Sequence, residues 1–418
     1  MQAAQNKKPI FLLSTLAAVM AMPMLAQAAL VEDSKASVQL RNFYMNRDFR
    51  QGDGQSKAED WGQGFMFRLQ SGFTEGTVGF GLDALGLVGI KLDSGGGTGG
   101  TGALVRSRHS GKSADSHGIF GVTAKAKLSD TVLTVGTHEP LLPIAFRNDT
   151  RLLPQTFQGA QLVSKEVENL TLTAGQFRKT NLRDSTNNEN MKMFVDGAKK
   201  EDLEKLSNRF NYAGASYQFM PGLTGTYFFA QMKDLYRQHH VNVQYLTDLT
   251  SDLKFKTDLR YFKSSDQGKT DVDNRLASGM FSLGYKGHWF GLGYQDASGK
   301  TGTPFIGGGT DPWTMNTLTY HHFLRAKEDS WQARYDFNFA EVGIPGLNLM
   351  ARYVRGDNFK IGNNNAKEWE RDIDLGYTIQ SGPLKDVSLL VRNVMYRGSH
   401  TTNIDENRVI VNYTVNLW

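Results

Sequence analysis

The chain has 418 residues, with 47 Lys+Arg against 42 Asp+Glu, 44 Gly, 10 Pro and no cysteine. The missing thiols exclude disulfides, thiolate nucleophiles, Cys-ligated zinc and iron–sulfur clusters. A mean hydropathy of -0.42 excludes a polytopic helical membrane protein, which needs repeated apolar spans of about 20 residues, and a formal charge of +5 spread along the chain argues against nucleic acid as a partner.

Residues 1–28 read as a secretory signal peptide. Lys7 and Lys8 form a positive n-region, Ile10 to Leu25 is an apolar run of the right length, and Ala26-Gln27-Ala28 supplies small residues at −3 and −1. The run is too short for a membrane anchor and lacks a stop-transfer flank. The mature chain, 29–418, is therefore expected to be exported, and it reads as one domain.

From residue 36 onward the dominant signal has period two, the mark of a strand with two different faces. In Leu253–Tyr261 one face is Leu253, Phe255, Thr257, Leu259 and Tyr261, and the other is Lys254, Lys256, Asp258 and Arg260. The expected strands are 36–48, 60–73, 75–90, 117–128, 131–138, 156–165, 169–179, 209–219, 223–233 and 237–247. They continue with 252–264, 274–286, 288–296, 329–340, 347–357, 367–380, 386–397 and 407–418, the last ending inside a strand at Trp418. A candidate at 315–324 would put the two termini on opposite sides, so it is assigned to a loop.

Many of these strands run to 10–13 residues, close to the ~9–11 that cross a bilayer at a tilt. Tight turns such as Met220-Pro221-Gly222 and Lys286-Gly287 alternate with long polar stretches at 91–117, 180–208 and 297–328. Aromatic residues gather near the ends of the apolar faces, as in membrane girdles. The expected fold is all-β: a transmembrane antiparallel barrel of eighteen strands, closed so that no edge meets lipid, around an aqueous lumen.

Basic residues recur on the faces opposite the aromatics: Arg41, Arg47, Arg68, Lys125, Lys127, Lys254, Lys256, Arg260, Arg334, Arg352, Arg392 and Arg408. A cation facing lipid near the midplane would cost about 2–4 kcal/mol, so these residues should face the lumen. There they would form a track along which a carboxylate moves, because the arginine fork binds carboxylate bidentately and stays charged. The plain alternative is that they pair with Asp83, Asp258, Asp336, Glu370, Asp372 and Asp374 and only balance charge. The stripe reading is favoured because cations cluster on strands that closure makes neighbours.

Residues 139–155 (EPLLPIAFRNDTRLLPQ) break the strand pattern and hold three prolines. An exterior loop bearing Leu141, Leu142, Ile144, Phe146, Leu152 and Leu153 would be aggregation-prone, so it should fold inward and narrow the pore. Arg147, Asp149 and Arg151 would then line the constriction. Enzymatic signals are weak. The pairs His239-His240 and His321-His322 do not make a simple chelate on strands, and HExxH, GxSxG and GK[ST] patterns are missing. No metal, cofactor or catalytic residue is expected.

The strings LRNFYMNRDFR (40–50), DWGQGFMFRLQSGFTEGTVGFGLDALG (60–86), RNDTRLLPQTFQGA (147–160), SWQARYDF (330–337) and NRVIVNYTVNLW (407–418) resemble the OprD family of substrate-specific outer-membrane porins of Gram-negative bacteria. The resemblance implies an eighteen-stranded barrel, inward-folded constriction loops and a basic ladder guiding carboxylate-bearing substrates. By position it makes Arg41, Arg47, Arg68, Arg352, Arg392 and Arg408 ladder candidates, with Lys125 beside them. Arg147, Asp149 and Arg151 become constriction candidates, and Asp311 an opposing acidic wall. The expected function is passive diffusion of small carboxylates, aromatic or cyclic ones favoured. The alternatives are a basic amino-acid or peptide channel of the same family and a barrel enzyme. Outer-membrane lipid, lipopolysaccharide and small carboxylate substrates are the expected partners, with the chain a monomer or a loosely associated trimer.

Overall fold

The computed structural model describes residues 30–418 apart from 53, 95–97, 108–109, 199 and 309. The expected signal peptide, 1–28, lies outside the described residues, as does part of the glycine run 95–102.

Eighteen strands form the wall: β1 Lys35–Phe49, β2 Lys57–Gln70, β3 Val78–Asp93, β4 Ser116–Leu128, β5 Thr131–His138, β6 Thr156–Ser164, β7 Leu170–Asn181, β8 Phe210–Met220 and β9 Leu223–Met232. The second half is β10 Tyr236–Asp248, β11 Leu253–Asp266, β12 Asp273–Tyr285, β13 His288–Gly299, β14 Glu328–Asn338, β15 Leu347–Ile361, β16 Asn364–Thr378, β17 Ser388–Gly398 and β18 Ile404–Asn416. Each pairs antiparallel with the next, and β1 pairs with β18, setting Arg41 opposite Asn412 and Phe43 opposite Ile410. The sheet closes on itself, which satisfies the backbone without water and lets it stand in hydrocarbon.

The eighteen expected strands are these eighteen, with shifted ends. The second stops at Gln70 rather than 73, because the Ser71 N–H donates to the Asp83 carboxylate and the Gly72 N–H to the Leu30 carbonyl. The last stops at Asn416, not Trp418, although the Leu417 N–H still donates to Ala36 and the Ala36 N–H to Trp418. Segment 315–324 is a loop, as expected.

Outward faces carry exposed apolar side chains such as Phe80, Leu82, Phe120, Phe281, Phe290 and Leu292. The buried apolar core is inside the barrel, where long loops fold in. Leu141–Leu142, Ala145–Arg147 and Thr310–Asp311 form one small antiparallel sheet. Met191–Phe194, Leu206–Ser207 and Phe305–Ile306 form another. The second packs Met191, Met193 and Ile306 onto Phe157, Phe177, Phe210, Met232 and Tyr236 of the wall.

Loop 139–155 lays Leu152 and Leu153 against Phe43, Met45, Met66, Leu85 and Leu87. Gly62 and Gly64 make room for it: a Cβ at either would meet Leu152, at 2.7 and 3.1 Å. Inward folding buries Ile144, Leu152 and Leu153, but Leu141 stays 61% exposed.

Candidate functional site

Alternation puts a row of carboxylates on the lumenal face of β16, at Glu368, Glu370, Asp372 and Asp374. The flanking strands answer with arginines. Arg352 donates to Asp372 through Nε at 3.0 Å and Nη2 at 2.7 Å. Arg392 forks onto Asp374, with its Nε at 2.7 Å. Arg47 donates to Glu406 at 2.7 Å, and Arg408 holds the other oxygen of the same carboxylate.

Elsewhere on the wall Arg260 holds Asp258 at 2.9 and 2.6 Å, Arg334 holds Asp336 at 2.7 Å through two nitrogens, and Lys125 holds Asp83 at 2.7 Å. Arg68 forks onto Glu139 of the inward loop at 2.8 and 2.9 Å. Arg41 binds Asp149 of the same loop and donates to the Arg151 carbonyl at 2.8 Å.

The seven ladder candidates, Arg41, Arg47, Arg68, Lys125, Arg352, Arg392 and Arg408, therefore face the lumen, and all seven hold a carboxylate. Five of the six carboxylates expected as balancing partners do hold a cation: Asp83, Asp258, Asp336, Asp372 and Asp374. The sixth, Glu370, instead accepts the backbone N–H groups of Tyr320 at 2.9 Å and His321 at 2.8 Å, docking the loop 300–327 on the wall.

The pairs are not equivalent. The Arg334 side chain is 39% exposed and can meet a solute, whereas Arg408 is 0% exposed and cannot. Arg408 donates to the Thr150 carbonyl at 3.1 Å and the Thr319 carbonyl at 3.2 Å, so one guanidinium ties both constriction loops to β18.

At the constriction, Arg147 and Arg68 share Glu139, and Asp149 lies between Arg41 and Arg147. Two expected positions move. Arg151 does not line the opening: it is buried behind it, donating to the carbonyls of Thr101 and Thr150, each at 2.9 Å. Burial, then the nearby Arg408 and Arg183, pulls its guanidinium well below the ordinary value. Asp311 is not an opposing wall. It lies on the strand that pairs with Ala145–Arg147, opposite Phe146, and accepts from Asn148 at 2.7 Å. Burial holds its carboxyl above the usual range.

Aromatic side chains stand among these charges. Trp313 of the loop 300–327 packs on Phe146, with ring centroids 4.7 Å apart, and the Arg260 guanidinium lies 4.7 Å over its ring. Arg47 lies 4.8 Å over Tyr320.

Behind them two adjacent histidines diverge. Burial lowers the His322 imidazole to about 4, among Phe194 and Phe305. Burial opposes protonation of His321 too, but the Glu368 carboxylate 2.8 Å away outweighs it and raises the imidazole above its ordinary value.

Glu139, Glu406 and Trp313 were missed in the sequence. Glu406 was detectable, being two residues from Arg408 and so on the same strand face. Glu139 and Trp313 reach their partners only through loop folding, which leaves no local periodic signal.

A closed wide barrel, narrowed from within by its own loops and lined by charge, is the architecture of an outer-membrane diffusion channel. Residues 28–417 match the model of the outer membrane porin, OprD family. The chain belongs to that family, whose porins provide substrate-specific diffusion across the Gram-negative outer membrane. It is 41% identical over 415 residues to the porin-like protein GalP of Pseudomonas putida, covering 97% of this chain and 98% of that one. Among solved structures it is similar to a BenF-like porin from Pseudomonas fluorescens, at 41% identity and a TM-score of 0.89. It is also similar to Pseudomonas aeruginosa OpdK with vanillate, at 37% identity and a TM-score of 0.87. Each alignment covers 93% of this chain and 100% of the other.

Proposed function

We propose that this porin passes small carboxylates, with aromatic or cyclic ones favoured, along the lumenal arginines. The observation that carries the reading is the pairing pattern. The acidic groups at and around the constriction, Glu139, Asp149, Asp258 and Asp374, are each already held by arginine, while edges of Arg68, Arg147, Arg334 and Arg392 stay open to the lumen. An incoming carboxylate can exchange with a resident one on the same fork, so it is never fully desolvated and never trapped. A cationic solute meets acidic groups whose charge is already answered.

The cluster of Phe146, Trp313 and Arg260 offers a ring face beside a guanidinium, which suits a planar carboxylate. OpdK, a structural relative, was solved with vanillate, itself an aromatic carboxylate. One chain closes its own barrel, so the conducting unit is the monomer, with any trimer only a loose association. Residues 1–28 are removed on export, so sequencing of the purified N-terminus should begin at Ala29.

The test is single-channel recording in a planar bilayer, titrated with benzoate and with arginine. Concentration-dependent blocking by benzoate alone is expected. Blocking by arginine with none by benzoate would overturn the reading.

A further inference from the structure

The outer wall carries a feature that transport through the lumen does not use. On β16 the outward positions run Trp369, Arg371, Ile373, Leu375 and Tyr377, so a guanidinium lies one step below an aromatic girdle residue, on the face that meets lipid. Trp369 is flanked in register by Arg355 of β15 and Arg397 of β17, and Arg371 pairs in register with Tyr353. Arg397 is neutralised by Asp405 at 2.7 Å. Arg371 has no acidic partner among the described residues. Its Nη2 donates to Asn393, whose amide donates on to Asn407 at 2.8 Å, and its Nε is buried without a partner.

Directly beside Arg371 opens an apolar groove of about 730 Å³, crossing the wall from β16 towards Leu283 and Phe255 near the tight turns. Its floor is Ala333 and Ala351, small residues on adjacent strands, and its sides are Phe281, Phe290, Tyr353 and Ile373.

We propose that this groove and its cationic head bind one molecule of a phosphorylated, acylated lipid of the outer leaflet, the lipid A portion of lipopolysaccharide. Charge complementarity commits the occupant. A guanidinium facing hydrocarbon is costly unless an anion meets it, and Arg355, diagonal to Arg371 in the β15–β16 register, would give a bound phosphate a second arm. The head is at the girdle nearer the long loops, which face outward in such barrels, so it is level with outer-leaflet headgroups. The groove runs on from Arg371 as a continuous apolar strip over Tyr353, Ala351, Ala333 and Phe290, which suits an acyl chain attached to the anionic head.

The experiment is native mass spectrometry of the full-length porin, purified and incubated with bis-phosphorylated lipid A, with its dephosphorylated form and with phosphatidylglycerol. One retained lipid A per chain is expected. Retention should fall by about tenfold or more for the R355Q/R371Q double variant, for A351L, which fills the groove, and for dephosphorylated lipid A. An R237Q control, a cation elsewhere on the outer wall, should retain lipid A like the parent chain, and unaltered single-channel conductance verifies the fold of every variant. Equal retention by R355Q/R371Q and the parent would overturn the proposal. So would equal retention of phosphatidylglycerol, or protein–protein adducts that vanish with A351L.

Discussion

The lumen has two unlike walls. Along β6 to β10 the inward side chains are Phe157, Phe177, Phe210, Phe228, Met232 and Tyr236, buried under the small sheet built on Met191–Phe194. From β14 around to β1 arginines and carboxylates stand in fixed pairs among buried Phe43, Met45, Val354 and Tyr396, and the loops 139–155 and 300–327 are tied there in part by hydrogen bonds to Arg408 and Glu370. Apolar contact is strong but non-directional, so it fills space and stops flow on its side. Ion pairs hold loops at defined atoms and leave polar edges facing water. On the proposed reading, solutes pass along the charged wall, where arginine edges are presented.

Breaking the apolar wall should have the largest effect. Phe177→Ala removes a fully buried ring and should cost about 3–5 kcal/mol. The expected result is a lower unfolding midpoint in denaturant and a higher, noisier conductance as the filling sheet loosens. Arg408→Gln comes next, because removing one partner of a buried pair typically costs about 3–5 kcal/mol and here part of the partnership survives. Its signature should be frequent gating steps from both loops, read in single-channel traces.

Arg392→Ala sharpens the comparison without unfolding it. Asp374 would be left unanswered in the lumen, so anion preference should drop several-fold while the barrel stays heat-resistant; an unchanged reversal potential in a salt gradient would remove Arg392 from the proposed stripe. Trp313→Ala should shorten benzoate blocking events by a factor of about 2–10, from a ring contact worth roughly 0.5–1.5 kcal/mol, and leave small-anion conductance unaltered.

The smallest effect is on pH. His322 in the docked loop titrates near 4 against an ordinary 6.5, so the docked state prefers the neutral ring. Its contribution is complete above pH 6.5 and is lost as pH falls toward 4. His321, raised by Glu368, acts in the opposite sense and loses its contribution as pH rises through its elevated value. Acidification from pH 7 to 5 therefore loosens the loop through His322 and tightens it through His321, so His322→Phe should shift the pH 5 to pH 7 difference in recorded gating toward fewer gating steps at pH 5.

Strand number and facing were legible because a bilayer outside and water inside impose period two on every segment. That rule alone placed Arg41, Arg68, Arg352 and Arg392 on the lumenal face. It could not place loop residues. Arg68 meets Glu139 across 71 positions and Arg41 meets Asp149 across 108, contacts made by loops folding into a cavity that the strands only enclose. For the same reason Arg408 read as a stripe residue although both loops cover it. Asp311 read as an opposite wall although a two-residue bridge seats it beside Phe146.

The central claim is that the charged wall, with its acids already answered, selects carboxylates. The most direct measurement is the zero-current potential of the unmodified channel between benzoate and arginine salts at equal concentration and a common counter-ion background. The account predicts a potential set by benzoate permeation, reduced in Arg392→Ala. A potential set by arginine, unchanged in that variant, would contradict it.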